Sequence, residues 1–278
     1  MTWRWRNVVT LASVAAGILG LVLSAGGFGS NSAVGDDFRI QTHMFVGDQT
    51  QPSGEALTLF RDGIVYDYVT DPEKIAVFDA PRKRFILLDP RRKIKTEVET
   101  ARLLAYGGHF RKWAAQQQSA LLRFTAQPSF QQQYDRKSGE MTFSSPHLTY
   151  RLATETAASA ELAKQYGTFS DWYARLNSAT SAAALPPFAR LAVNESLAEH
   201  QLLPRRVELT IRPAKTDGDQ PVVLRTEHRM RSGLSTSDVD RIDRTATYLH
   251  TFRTVSFKQF IAAADEDRAA VEKKPDSP

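Results

Sequence analysis

Apolar and polar positions change period several times along this chain, and each change predicts an element. Phe38, Ile40 and Thr42 alternate with Arg39, Gln41 and His43, the period of two expected of a strand. Residues 57–60 and 64–69 flank Arg61-Asp62-Gly63, a hairpin signal because glycine accepts the positive φ of a tight turn. Three turns of one style follow: Asp71-Pro72-Glu73-Lys74, Asp79-Ala80-Pro81-Arg82-Lys83 and Asp89-Pro90-Arg91-Arg92-Lys93. Proline presets φ in each, and the aspartate can bond the backbone just beyond it. Short apolar runs at 75–78 and 85–88 lie between the turns. Residues 93–99 alternate cleanly, which predicts a strand with one wet face.

After Thr100 the period becomes helical, with Leu103, Tyr106 or Gly107, Phe110 and Trp113 on one stripe. Strand-like segments return at 121–126, 130–134, 140–143 and 147–153. Leu162, Tyr166, Phe169, Tyr173 and Leu176 predict a second helix, and residues 178–184 a small-residue linker. Pro186-Pro187 opens a third helix to about His200. Residues 207–211 and 222–230 read as a hairpin. Ser235, with Asp238 three residues on, caps a fourth helix whose apolar stripe is Val239, Ile242, Ala246 and Leu249. Residues 254–260 form a last apolar segment, and 263–278 read as a charged disordered tail. Strands stand before, between and after helices, so the α/β alternation of a parallel sheet is absent. The predicted class is α+β: one domain over residues 36–262, with a large curved antiparallel sheet and its helices.

The amino terminus adds a compartment. Arg4 and Arg6 precede an uncharged, apolar stretch at 8–25, followed by small residues around Ala25 and Ala33. Basic, apolar and then small is the order of a secretory signal, and the run is also near the ~20 residues a membrane span needs. Residues 1–33 therefore predict either a cleaved signal peptide or a retained anchor in the inner membrane. Either places the rest of the chain outside the cytoplasm, in the periplasm. The chain has no cysteine, which excludes disulfides, thiolate metal sites and a lipid-modified amino terminus.

The net charge of +5 does not make nucleic acid an expected partner, because export separates the two. Arg82, Lys83, Arg84, Arg91, Arg92 and Lys93 cluster around two turns. They read either as contacts to an anionic lipid surface or as solvated turn tips that protect sheet edges. The six histidines lack metal-ligand spacing, and Glu195, Glu199 and His200 suit an exposed helix face better than a metal site. No nucleophile elbow, phosphate loop or dinucleotide fingerprint is present. No catalytic residue, metal or cofactor is therefore expected, and a hydrolase is the less favoured reading.

The exported amino terminus, the meander with Asp-Pro turns (64–67, 77–79, 85–90), the helix at 100–113 and the late strand at 204–211 together resemble the periplasmic lipoprotein-carrier (LolA/LolB-like) superfamily. The resemblance covers most of residues 36–260 at the level of architecture. It implies a half-barrel wrapped around or lidded by helices, with acyl chains sheltered in an apolar hollow. The implied task is binding lipid or lipid-modified cargo without catalysis. The hollow would be lined by Leu57, Leu59, Tyr66, Val77, Phe85, Leu87, Phe110 and Trp113. The alternative on the same fold is a membrane-anchored interaction or sensor module for a protein partner.

Overall fold

A computed structural model describes residues 37–70, 72–181, 184–212 and 220–272. The predicted signal or anchor at 1–33 lies outside them. Among the described residues the chain forms one sheet of twelve strands with six helices. The first six strands are β1 (Phe38–Val46), β2 (Gly54–Arg61), β3 (Ile64–Val69), β4 (Lys74–Asp79), β5 (Arg84–Asp89) and β6 (Ile94–Glu99). Two helices follow, α1 (Thr100–Ala115) and α2 (Ala120–Ala126), then β7 (Gln131–Asp135), β8 (Glu140–Ser144) and β9 (Leu148–Thr156). Helices α3 (Ala160–Thr180) and α4 (Phe188–Glu199) precede β10 (Leu202–Ile211) and β11 (Val222–Ser232). The chain ends with α5 (Thr236–Thr251), β12 (Arg253–Thr254) and α6 (Phe257–Glu272).

Strand order is β12-β6-β5-β4-β3-β2-β1-β11-β10-β9-β8-β7, antiparallel except for the short parallel pair β12–β6. The sheet is neither closed nor strongly curled, so the strands do not form the expected half-barrel. Helices instead cover both faces of an open sheet. On one face, α1, α3 and α6 pack over β1–β6 through Leu103, Leu162, Phe169, Tyr173 and Phe260. Helices α2 and α4 continue this layer over β8–β11 through Leu121, Val193 and Leu197. On the other face, α5 covers Leu59, Tyr68, Ile75, Val77 and Leu88 with Ile242 and Phe252. Double coverage explains why β4 and β5 bury nearly every residue, as their unbroken apolar runs require.

The meander is set by its turns. Arg82 N donates to Asp79 Oδ1 at 3.2 Å, and Arg92 N donates to Asp89 Oδ1 at 3.0 Å. Each turn closes on a lysine in the left-handed region, Lys83 at φ 51° and Lys93 at φ 50°. Pro204 sits inside β10, where the pairing with β9 shifts register between Pro204 and Arg206. A bulge frees that position from donating to the ladder, which is what proline requires.

Three elements differ from expectation. Residues 121–126 are helix α2, not a strand. A run of six apolar residues has no decisive period, and Ser119 settles it by accepting a hydrogen bond from Leu122 N at 3.4 Å. Helix α3 runs into the supposed linker (178–184) as far as Thr180. Helix α6 carries the supposed tail as far as Glu272.

Candidate functional site

Two kinds of site stand out, one inside the helix–sheet interface and one at the edge of the sheet. The inner one arises because antiparallel pairing sets Thr58 opposite Asp67, and Thr42 opposite His228, on the face beneath α3 and α4. Asp67 is buried and accepts hydrogen bonds from Thr58 Oγ1 and from the Tyr173 hydroxyl of α3, each at 2.7 Å. Burial pushes its carboxyl up to about 6, against the opposing pull of those two donors. The same burial, with the carboxylate alongside, holds the Tyr173 hydroxyl well above its usual range. His228 is fully buried between Thr42 Oγ1 at 3.1 Å and Thr226 Oγ1 at 2.6 Å. Desolvation holds it far below the ordinary histidine value, so the ring is neutral. Arg190 of α4 lies above this belt, 7% exposed, with Nη2 donating to Ser170 Oγ at 3.4 Å.

The edge site is a groove of about 490 Å3, open to solvent, between β6, β12 and α6. Ile94, Val255 and Ala263 give it an apolar floor, while Arg92, Arg253 and Gln259 supply polar groups. Val255 is held there because its N–H donates to Lys95 O at 2.8 Å, beside the parallel pairing of Arg253 with Ile94. Helix α1 adjoins the same wall, since the Arg102 guanidinium lies 5.1 Å over the Phe257 ring of α6. Farther along α1, Tyr106, Phe110 and Trp113 follow one another in tilted ring contacts with centroids 5.8 and 5.3 Å apart. Tyr106 and Trp113 stay 42% and 43% exposed, so the ridge faces water. Its helix carries Arg102, Arg111 and Lys112 and no acidic residue.

The residues expected to line one hollow are distributed over three surfaces. Leu57, Leu59, Tyr66 and Val77 pack under α5. Phe85 and Leu87 lie on the opposite face, with Phe85 stacked on Phe78 at 4.7 Å. Phe110 and Trp113 belong to the outer ridge of α1, whose buried stripe is Thr100, Leu103, Gly107 and Ala114. These eight residues therefore do not surround a common cavity. An open sheet sends alternate side chains to opposite faces, and only strong curling would have enclosed one set.

The basic residues divide in the same way. The 80–83 and 90–93 turns stand at opposite ends of β5, roughly 17 Å apart at strand rise. Arg82 and Arg84 bond Asp79 at 3.0 and 3.3 Å, and Arg84 also bonds Glu97 at 2.6 Å. Asp89 is bonded by Lys74 and by Arg92, the latter at 3.4 Å. Only Arg92 reaches the edge groove among these six bases. Lys83 and Lys93 are exposed turn tips.

No family model and no curated protein matches this chain. The functional reading therefore rests on the chain's own chemistry. Among the described residues, no cluster of three His, Asp or Glu side chains could hold a metal, and no helix is long and apolar enough to cross a membrane. The groove sets two guanidinium groups beside a short apolar floor, an arrangement complementary to an anionic group with an apolar attachment. Sequence reasoning singled out Arg92 but missed the rest of the groove and all of the inner site. Val255 falls in a segment (254–260) read only as apolar, Arg253 stands just before it, and Arg190 looks like any helix-surface arginine until α3 is placed against it.

Proposed function

We propose that the protein is a non-catalytic binder of lipid or lipid-modified cargo outside the cytoplasm, and that it holds an anionic amphiphile at the sheet edge. The observation that carries this reading is the groove: an apolar floor of Ile94, Val255 and Ala263 with Arg92 and Arg253 at its border. The groove is open along one side, about 490 Å3, so a guest would lie along it partly in water. The compartment comes from the basic-then-apolar amino terminus, which either is removed or ties the protein to the inner membrane. The cargo chemistry is that implied by the resemblance to lipoprotein carriers, but the binding mode differs. Acyl chains lie in an edge groove rather than in the concavity of a half-barrel.

A second reading, a membrane-anchored interaction module, is favoured by the exposed Tyr106–Phe110–Trp113 ridge. Interface-facing aromatics beside arginine and lysine suit a headgroup layer or an apolar patch on a protein partner.

Photocrosslinking separates the two. The full chain is incubated with a photoreactive fatty acid, and the labelled residues are mapped by mass spectrometry. Groove binding predicts label around Ile94, Val255 and Ala263, with loss of most label in the groove-filling Ala263→Trp variant. Label confined to α1 and to residues 1–36, unchanged in that variant, would reject the groove.

A further inference from the structure

We propose that Arg190 anchors an internal binding site for a compact oxyanion between α3, α4 and the sheet, a site separate from the edge groove. A guanidinium carries its charge at every accessible pH, so burying one without a carboxylate leaves a full charge uncompensated. Arg190 is 7% exposed, and its Nε and Nη1 have no hydrogen-bond partner. The guanidinium meets only neutral groups: Nη2 donates to Ser170 Oγ at a long 3.4 Å, and the Tyr166 hydroxyl accepts from the arginine. Asp171, the next residue on α3, is already held by Asn194 Nδ2 at 2.8 Å and lies 3.8 Å from Arg175. No carboxylate pairs with Arg190 among the described residues.

The surroundings favour a negative guest. Arg190 lies in the first turn of α4, a helix of 12 residues that starts at Pro187 without a side-chain cap. A helical side chain leans toward the helix start, so the guanidinium and the free N–H groups of that turn point the same way. The helix dipole adds partial positive charge there. Tyr150 lies close enough to feel the arginine, and burial raises its hydroxyl to about 12, so it stays protonated. One turn along α4, Asn194 Oδ1 is buried without a donor. An oxyanion with one protonated oxygen satisfies that acceptor and both free guanidinium nitrogens together. Hydrogencarbonate and dihydrogenphosphate have this chemistry, while the carboxylate of a fatty acid serves the arginine alone.

The test follows urea unfolding of the full chain in nonionic detergent at fixed pH and ionic strength. Gluconate is replaced stepwise by hydrogencarbonate, phosphate, acetate or chloride, and in a separate arm dodecanoate is added. A ligand of the folded state raises the unfolding midpoint with the logarithm of its concentration. At 100 mM, hydrogencarbonate or phosphate shifts the wild-type unfolding constant about tenfold, and less than twofold in Arg190→Met. Arg136→Met, at an exposed turn, keeps the full response. A response to dodecanoate alone assigns the site to an acyl carboxylate. Should Arg190→Met not fold, Ser170→Ala serves in its place and must weaken the response. A wild-type midpoint indifferent to every anion, or equal responses in wild type and Arg190→Met, overturns the proposal and leaves the guanidinium to ordered water.

Discussion

The Tyr173 hydroxyl donates a 2.7 Å hydrogen bond to Asp67 Oδ2, tying α3 to the middle of the sheet across 106 residues of sequence. That contact puts a carboxylate where burial raises it to about 6, above its ordinary 3.8. The folded state therefore holds this proton more tightly than the unfolded chain. Ionised Asp67 costs stability above pH 6, and that stability returns as pH falls from about 6 toward 3.8. Asp67→Asn keeps the shape and both partners. It should raise the unfolding free energy at pH 7.5 by roughly 1–3 kcal/mol and change little at pH 4. Urea titrations from pH 4 to 8 check this, and a difference that is the same at every pH would contradict it.

His228 works in the opposite sense. Its folded value lies well below 6.5, so its contribution is complete above pH 6.5 and is lost as pH falls below that value. In wild type the two groups partly cancel between pH 4 and 6. In Asp67→Asn the histidine loss should stand uncovered, giving a steeper acid limb. His228→Gln, whose amide can still meet Thr42 and Thr226, should instead gain stability on going from pH 6.5 to 4.5. Identical acid limbs in all three proteins would show that His228 does not titrate on unfolding.

Arg39 of β1 reaches Asp238 of α5 at 2.8 and 3.0 Å, pinning the helix that covers the second face. The same carboxylate accepts from Ser235 N at 2.8 Å, and the Ser235 side chain in turn accepts from Asp238 N. Asp238→Ala removes a buried ion pair and half a capping box at once, at an expected cost of about 2–4 kcal/mol. Arg39→Ala leaves the cap but strands the buried carboxylate. The double variant should cost less than the sum of the singles, as chemical denaturation of all four proteins would reveal.

Lys83 and Lys93 hold positive φ at matching places in two hairpins. Glycine meets no Cβ strain there, so Lys83→Gly and Lys93→Gly should each stabilise by about 0.5–1 kcal/mol. The turns stand at opposite ends of β5, so the gains should add. Lysine-to-alanine controls should show no gain, because alanine has the same Cβ.

Much of the fold was legible along the chain because periodicity and turn chemistry are local. The Asp-Pro turns, the hairpin glycine at Gly63 and the Ser235–Asp238 cap act within a few residues of themselves. They marked the meander and the start of α5 close to where they stand. The 121–126 run was illegible because six apolar residues suit either a strand or a helix, and the deciding partner was a serine outside the run. The candidate sites were less legible still. Alternation shows that Phe85 and Leu87 share a face, but not which face, nor that Leu59 and Val77 point away from them. Hence eight greasy residues looked like one lining and proved to be three.

The sequence alone determined the meander from β1 to β6, the start of α5 and the mostly antiparallel character of the sheet, since these follow from neighbours three or four residues apart. Only the tertiary structure decided that the sheet stays open with helices on both faces. It alone brought Asp67 to Tyr173, set Arg190 in the interface of α3 and α4, and brought Arg92 beside Arg253. Those pairings depend on how distant faces pack, and packing free energy is shared among many contacts that no local pattern encodes.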